Sequence, residues 1–394
     1  MRPLLLVLPV VLVLSGCNVG NDDGANHGTK ESTSRPAAAP SAAPDALAAH
    51  DNVKSAQDIP DSEPRPIMQA QVVLDRLGFT PGVVDGEEGM STRNAVSGYQ
   101  EANKLAVTGK LDPATIAALA QYQAIPATRV VTIPDDFAAG PFVRIPKRPE
   151  DQASLAALGY ESLDEKLAER FHTTVATLKL LNPDGRPAGA PPAAPAEAAP
   201  KPMASPADPD APPVPYFHAG QQIRVPNVGA DAIQPGSVTD KDWLATLAML
   251  GVSSEQPRVA DIVVSKSKGT LKAYDDAGKL VAVYTATMGS QHDPLPLGDW
   301  GINGVSHNPK FHYNPALFWD AKAGSEKATL PPGPNGPVGV VWIDLTKPHY
   351  GIHGTPNPET IGRAESHGCV RLTNWDAARL AQMVSVKTKV HFEA

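Results

Sequence analysis

Hydrophobic positions along this chain change their period several times, and the changes divide it. Leu4 to Leu14 form an apolar run. Residues 18–62 have no hydrophobic period and are rich in Ala, Pro, Ser, Asp and Asn, the composition of a disordered tether. From Ile67 the spacing turns helical: Ile67, Val72, Val73, Leu74 and Leu77 recur and stop at Gly78. Turn chemistry follows at Val83-Val84-Asp85-Gly86 and Glu88-Gly89. A second helix is predicted from about Ser91, its N-cap, to Asn103, with Ala95, Val96 and Tyr99 as the apolar face. Asp112-Pro113 opens a third, carrying Ile116 and Leu119. Leu163 to Phe171 and Thr174 to Leu181 predict two short amphipathic helices closed by Asn182-Pro183, and Gly220 to Pro226 predicts a strand. Phe142-Val143-Arg144-Ile145 is the candidate for a strand ahead of these helices.

From about Arg258 the period becomes two. Asp261 to Val264 and Thr270 to Tyr274 read as strands, Asp275 to Gly278 as a turn, and Leu280 to Thr287 as the returning arm of a hairpin. Val338 to Leu345 is another strand, with Val340, Trp342 and Asp344 on one face. Residues 289–337 are dense in Pro, Gly, Asn and His and predict long loops over one end of the sheet, where functional groups tend to sit. Ala377 to Val384 is a helix and Val390-His391-Phe392 a closing strand. The expected architecture is multidomain: a three-helix domain at 63–125, a helical segment at 140–229 interrupted by a Pro/Ala-rich insertion at 186–215, and a mostly-β domain with minor helix at 258–394. Long surface insertions cost little closure entropy, so the interruption is tolerable.

Composition narrows the function. A net charge of -8 leaves no basic surplus to neutralise phosphates, so nucleic acid is not an expected partner. No run of eighteen apolar residues follows the N-terminus, so no later membrane span is expected. Residues 1–17 read as a targeting segment. An ordinary cleaved signal peptide is one option. The tetrad Leu14-Ser15-Gly16-Cys17 resembles the bacterial lipobox, which implies diacylation of Cys17 and a lipid anchor. Asn18 follows where an Asp would resemble an inner-membrane retention signal, which points to the outer membrane. If Cys17 is capped, the second of the two cysteines, Cys369, has no partner in an oxidising compartment.

That lone thiol lies in Ser366-His367-Gly368-Cys369-Val370-Arg371-Leu372, sixteen residues after His353-Gly354-Thr355. Thiol attack on a carbonyl needs a base and donors for the oxyanion. His353 and His367 are both candidates for the base. His367 is tied to Cys369 by local backbone, whereas the fold can place His353 freely, so His353 is favoured. A neighbouring imidazolium would lower the thiol pKa into roughly 3.5–7.5. Gly368 permits close backbone approach, its amide and that of Cys369 can face an oxyanion, and Arg371 can fork onto a substrate carboxylate. The bland alternative is a small buried cysteine. Another is zinc held by His349, His353, His367 and Cys369, although no Cys-x-x-Cys pair is present. His292, His307 and His312 are expected to face solvent or serve structure, with substrate contact as a secondary role.

Three resemblances sharpen this. Gln71-x-x-Leu74-x-x-Leu77-Gly78-Phe79, Asp85-Gly86, Gln100 and Thr108-Gly109-x-Leu111-Asp112 resemble the type 1 peptidoglycan-binding domain, which implies wall binding. Helix, helix, Asn-Pro and Gly-Gln-x-Ile-x-Val-Pro resemble the latter part of a LysM module, with a ligand-free helical spacer as the alternative. His353-Gly354-Thr355 and the Ser366–Leu372 motif, with Pro296-x-Gly298 and Ile352, resemble the YkuD-type L,D-transpeptidase catalytic domain over about 259–393. That resemblance implies a β-sandwich, Cys369 as nucleophile and His353 as general base. It also implies that Gly354 orients His353 through its main-chain carbonyl, and that Ser366, His367 and Arg371 contact substrate. Some members carry Asn at the position of Arg371. The implied substrates are peptidoglycan stem peptides, with neither metal nor organic cofactor. The implied acceptors are a neighbouring stem (3→3 crosslink), a lipoprotein lysine, a D-amino acid or water. A non-catalytic wall tether and a hydrolase on the same scaffold are the rival functions.

Overall fold

The computed structural model describes residues 59–191, 212–229, 233–322 and 324–394. The targeting segment with Cys17, the tether up to residue 58 and residues 192–211 of the Pro/Ala insertion lie outside the described residues.

The first domain is built on α1 (Pro66–Arg76), α2 (Met90–Ala102) and α3 (Pro113–Leu119). Proline at the first turn suits α1 and α3, because its missing N–H would be unpaired there anyway. Asp112 caps α3 by accepting from the Thr115 amide at 2.9 Å. Two buried glutamines set the turns. Gln71 Oε1 accepts from the amides of Asp85 and Gly86 at 3.1 and 2.7 Å. Gln100 Oε1 accepts from those of Thr108 and Gly109 at 2.8 and 2.9 Å. Ala95, Val96 and Tyr99 are buried as expected. Ser91, however, lies inside α2; Gly89 is the capping position and makes no side-chain bond there. Ile116 is 57% exposed rather than core, because α3 is short and turns that position outward.

The middle module runs strand, helix, helix, strand. β1 (Thr128–Thr132) pairs antiparallel with β2 (Gln222–Pro226) from Thr128↔Pro226 to Thr132↔Gln222. The predicted first strand at Phe142 to Ile145 is therefore corrected. Those residues have no ladder partner, and the chain between carries only two short helical turns, α4 (Asp135–Ala138) and α5 (Pro149–Gln152). α6 (Leu163–Arg170) and α7 (Val175–Leu181) are capped by Ser162 and Thr174. Asn182 then clasps β2, accepting from the Arg224 amide at 2.6 Å and donating to its carbonyl at 2.7 Å. Among residues 230–257, which carried no expected element, lies α8 (Lys241–Leu250). Asp240 caps it, and it ends at Gly251 in the left-handed region, φ +69°.

The third domain holds β3 (Asp261–Ser265), β4 (Thr270–Tyr274), β5 (Leu280–Thr285), β6 (Thr287–Met288) and β7 (Gly298–His307). A small hairpin follows, β8 (Phe311–Tyr313) with β9 (Ala328–Leu330). Then come β10 (Val341–Leu345), β11 (Gly351–His353), β12 (Val370–Arg371), α9 (Asn374–Met383) and β13 (Lys389–Glu393). Nine strands hydrogen-bond in the order β5-β4-β3-β13-β7-β10-β11-β12-β6. The two edge strands, β5 and β6, are separated in the chain by Ala286 alone. The sheet must therefore curl until its edges meet, which makes it a sandwich folded over Val264, Leu271, Ile343, Ile352, Val370 and Trp375. α9 packs on this core.

Residues 289–337 are not all loop. β7 crosses the centre of the sheet, between β13 and β10, although its sequence Gly-Asp-Trp-Gly-Ile-Asn-Gly-Val-Ser-His has low strand preference. A bulge opposite Asp344/Leu345 breaks its alternation, so no period of two is visible. Two neighbours supply the ladder that local preference does not.

Candidate active site

β11 and β12 run parallel, with Ile352 opposite Val370 and His353 opposite Arg371. Cys369 immediately precedes β12. Alternation puts Cys369, Arg371 and His353 on one face, with Cys369 level with Gly351. A β-carbon on Gly351 would lie 2.6 Å from the Trp342 ring, so only glycine leaves that ring its place.

His353 is buried, and its Nδ1–H donates to the Gly354 carbonyl at 2.7 Å. This leaves Nε2 as the ring's acceptor. Trp342, across from it on β10, stacks on the imidazole with centroids 5.6 Å apart, and its own Nε1–H donates to Asp344 Oδ1 at 3.1 Å. Burial lowers the His353 pKa to about 3, and the charge of Arg371 pushes the same way. Cys369 is half-buried, its Sγ 3.7 Å from the His349 carbonyl. Burial raises its pKa, against the Gly351 amide and Arg371, which favour the thiolate. Desolvation thus works against ionisation of both groups, opposing the imidazolium that would acidify the thiol.

Gly368 has φ +92°, and a β-carbon there would meet the Tyr350 ring at 2.5 Å, so conformation and space both demand glycine. Ser366 departs from expectation. It is buried and its hydroxyl is fully used, accepting from the Gly289 amide and donating to the Cys369 carbonyl, each at 2.6 Å. It fastens the Cys369 loop from beneath. His367 points away from Cys369 toward the loop between β8 and β9. Its Nε2 is 2.8 Å from Asp320 Oδ1, and Phe318 and Trp319 pack around the ring. His367 Nδ1 and Arg371 Nε are buried without a hydrogen-bond partner, while Arg371 Nη1 donates to the Glu365 carbonyl at 3.3 Å. The exposed Trp319 also stacks on His292 at 4.3 Å. His307 stacks on Trp243, and His312 Nδ1 meets Thr329 Oγ1, both as structural contacts. Among the described residues no three His, Cys, Asp or Glu side chains converge as metal ligands. A cavity of about 660 Å³ on the middle module, bordered by Asp184, Arg186, Tyr216 and His218, shares no residue with this site.

Trp342, Tyr350, Asp320 and Asn374 are contributors that motif spacing did not reveal. Only Trp342 carried a signal, its shared face with Asp344.

A half-buried thiol at the start of β12 and an oriented imidazole at the end of the neighbouring β11 form a site suited to acyl transfer. Residues 260–392 match the family described as the YkuD "L,D-transpeptidase catalytic domain", and residues 65–119 that described as "Putative peptidoglycan binding domain". The chain therefore carries a YkuD-type L,D-transpeptidase catalytic domain behind a peptidoglycan-binding domain. It is 52% identical over 129 residues to "Putative L,D-transpeptidase YkuD" of Bacillus licheniformis, covering 33% of this chain and 62% of that one. It is 28% identical over 189 residues to "Probable L,D-transpeptidase YbiS" of Escherichia coli K12, covering 46% and 60%. The chain thus spans a little under two thirds of these relatives. Among solved structures, an L,D-transpeptidase from Mycobacterium smegmatis is 22% identical with a TM-score of 0.28, over 34% of this chain and 58% of that one.

Proposed function

We propose that the chain is a peptidoglycan L,D-transpeptidase with Cys369 as nucleophile. The observation that supports this is the β11–β12 register, which pairs His353, its Nδ1 locked to Gly354, with Arg371, two residues past Cys369 and on the same face. His353 Nε2 takes the thiol proton as Sγ bonds to the carbonyl carbon between the diamino acid and the terminal D-Ala of a tetrapeptide stem. The amides of Gly368 and Cys369 face the oxyanion. The C–N bond breaks, His353 returns the proton to the departing amine, and a thioester remains. An acceptor amine then attacks the thioester, gives up a proton through His353 and restores the thiol. Arg371 draws the stem's carboxylates toward the site. A stem acceptor yields a 3→3 crosslink, a lipoprotein lysine yields anchoring, and water yields carboxypeptidase activity. The domain at 65–119 holds the enzyme on its glycan substrate, and the strand-helix-helix-strand order of the middle module supports a LysM-like second contact. The lipobox-like tetrad supports lipidation at Cys17 and placement at the periplasmic face of the outer membrane.

The test is mass spectrometry on defined tetrapeptide muropeptides, with intact-mass detection of a carbapenem adduct. Wild type is expected to release D-Ala, form crosslinked dimers and take one adduct. Cys369→Ala is expected to do none of these. His353→Ala is expected to lose turnover by ~10²-fold or more. Full turnover in either variant would overturn the assignment, and product without dimers would favour the hydrolase.

A further inference from the structure

The middle module reaches the catalytic domain directly behind the His353 turn. Glu169, in α6, is buried. Its Oε1 accepts from Asn374 Nδ2 at 2.7 Å, and its other oxygen accepts from the Tyr160 hydroxyl. Asn374 opens α9 and is wholly buried. Its Oδ1 accepts from the Val340 amide at 3.2 Å, and its Nδ2 also reaches the Pro334 carbonyl at 3.2 Å. This carboxamide is wedged between two glycines. A β-carbon on Gly339 would lie 1.9 Å from Asn374 Oδ1, and one on Gly354 would lie 2.2 Å from it. Gly354 is the residue whose carbonyl receives the His353 Nδ1–H. The module also braces the segment leading into β10. The Leu158 amide donates to the Pro332 carbonyl and the Asn335 amide to the Leu158 carbonyl, both at 2.9 Å, and Asn335 Nδ2 donates to Glu165 Oε1 at 2.7 Å.

We propose that Glu169 and Asn374 are positioning residues for the cysteine site: Glu169 fixes the Asn374 carboxamide, which fixes the Gly354 peptide and, through its carbonyl, the tautomer and aim of His353. The physical need is plain. Gly354 has no side chain to anchor its own peptide plane, and glycine backbones are soft. If that carbonyl swings away, Nδ1 loses its acceptor, the ring samples the other tautomer, and Nε2 no longer waits unprotonated for the thiol proton. The site is then complete only with the middle module docked. The proposal rests on the L,D-transpeptidase assignment for its rate assay alone.

The experiment compares the full chain with Glu169→Ala, Glu169→Gln, Glu169→Met and Asn374→Ala. Thr80→Val is the control: its hydroxyl bonds Asp376 Oδ2 at 3.0 Å, at the same domain seam but off this line. Three readouts are taken: the His353 tautomer from nitrogen and carbon NMR of histidine-labelled protein, iodoacetamide alkylation of Cys369, and kcat with KM on a tetrapeptide muropeptide. Glu169→Ala and Asn374→Ala are expected to mix the tautomers and to lower kcat ~10–100-fold with little change in KM, the effect of a small misplacement relayed from a distance. Glu169→Gln, which can still accept from Asn374, is expected to restore most of the rate, and Thr80→Val to resemble wild type. Glu169→Met keeps the volume without the carboxyl group's hydrogen bonds, so it decides the matter if the alanine variants do not fold. A wild-type tautomer, alkylation rate and kcat in Glu169→Met would overturn the proposal and leave Glu169 with a packing role only. Absence of muropeptide turnover in wild type would refute the assigned activity instead, with the NMR and alkylation readouts still deciding this question.

Discussion

His353 and Cys369 sit on neighbouring strands, and the same cause acts on both: burial penalises whichever form is charged. It lowers the imidazole to about 3 and raises the thiol, so burial opposes an ion pair at rest. The sign is testable. A thiolate–imidazolium pair would alkylate at a constant rate from about pH 7 upward, because its thiol pKa lies at ~3.5–7.5. In this chain the iodoacetamide rate at Cys369 is expected to keep rising through and beyond the ordinary thiol range of about 8.5. A plateau on the acid side would show that the pair is ionised at rest. Motif spacing named Cys369 and His353, because a lone reactive thiol with a histidine close upstream is chemically distinctive, whereas the Gly354 carbonyl came from the family resemblance. Spacing did not show that Ser366 fastens the Cys369 loop, since a hydroxyl beside a nucleophile looks the same in sequence whether it faces substrate or fastens a loop.

α2 lies against β5, and Gly98 is the point of closest approach: a β-carbon there would sit 2.5 Å from Val283 Cγ2 and 3.2 Å from the Phe79 ring. Phe79 itself bridges to Val283, and the Thr80 amide donates to the Val283 carbonyl at 3.0 Å. Replacing glycine by alanine inside a helix ordinarily stabilises by about 1 kcal/mol. At Gly98 the opposite is expected, because overpacking costs ~1–3 kcal/mol. Chemical denaturation should show Gly98→Ala less stable than wild type. In a Val283→Ala background, where room is made, the same substitution should become neutral or favourable. A stabilising effect with Val283 intact would mean that α2 does not dock on β5. α1 to α3, α6, α7 and α9, with strands β2 to β5, β10 and β13, were legible from local period, whereas α4, α5 and α8 were not. β7 and the β1–β2 pair were not, because their ladders join segments far apart in sequence, and β7 in particular has low strand preference.

The three described domains share one buried polar seam. Asp75 of α1 receives a fork from Arg379 of α9, both bonds 3.0 Å, and lies 3.2 Å from His172 Nδ1 of the middle module. His172 stacks on Trp375 with centroids 4.9 Å apart. Although burial opposes it, Arg379 and His172 hold Asp75 below the usual carboxylate range. Asp376, which keeps Arg379 only at 3.8 Å and faces Asp75, Tyr284 and Thr80, is raised by burial to about 7. Glu169, facing Tyr160, Glu165 and Asn374, is likewise raised by burial to about 7. Acids raised on folding hold protons that the unfolded chain has already released. Their contribution is complete below the ordinary carboxylate pKa and is lost as pH climbs toward 7, at a slope of up to about 1.4 kcal/mol per pH unit each. His353, held below its ordinary value by burial, contributes the opposite slope up to about pH 6.5, so the prediction is a difference: in thermal melts between pH 5 and 7, Asp376→Asn and Glu169→Gln should each lose less stability than wild type. A pH slope identical to wild type in both variants would contradict the raised pKa of these acids. The seam also means that excising residues 63–125 would leave Arg379 buried without Asp75, so wall binding is better tested with surface substitutions on α1 to α3 in the whole chain.

By itself the sequence determined the chemistry and the partition: a lone thiol in a glycine-flanked motif, a histidine a short way upstream, a wall-binding pattern of glutamines and turns, and a change from helical to strand period. These are local or compositional features, written in residue type and spacing. Only the tertiary structure decided the burial of His353 and Cys369, the hydrogen bonds of Ser366, the central position of β7 and the union of three domains around Asp75, Glu169 and Asn374. Each of those depends on desolvation or on contacts between residues up to 304 positions apart, and neither appears along the chain until it has folded.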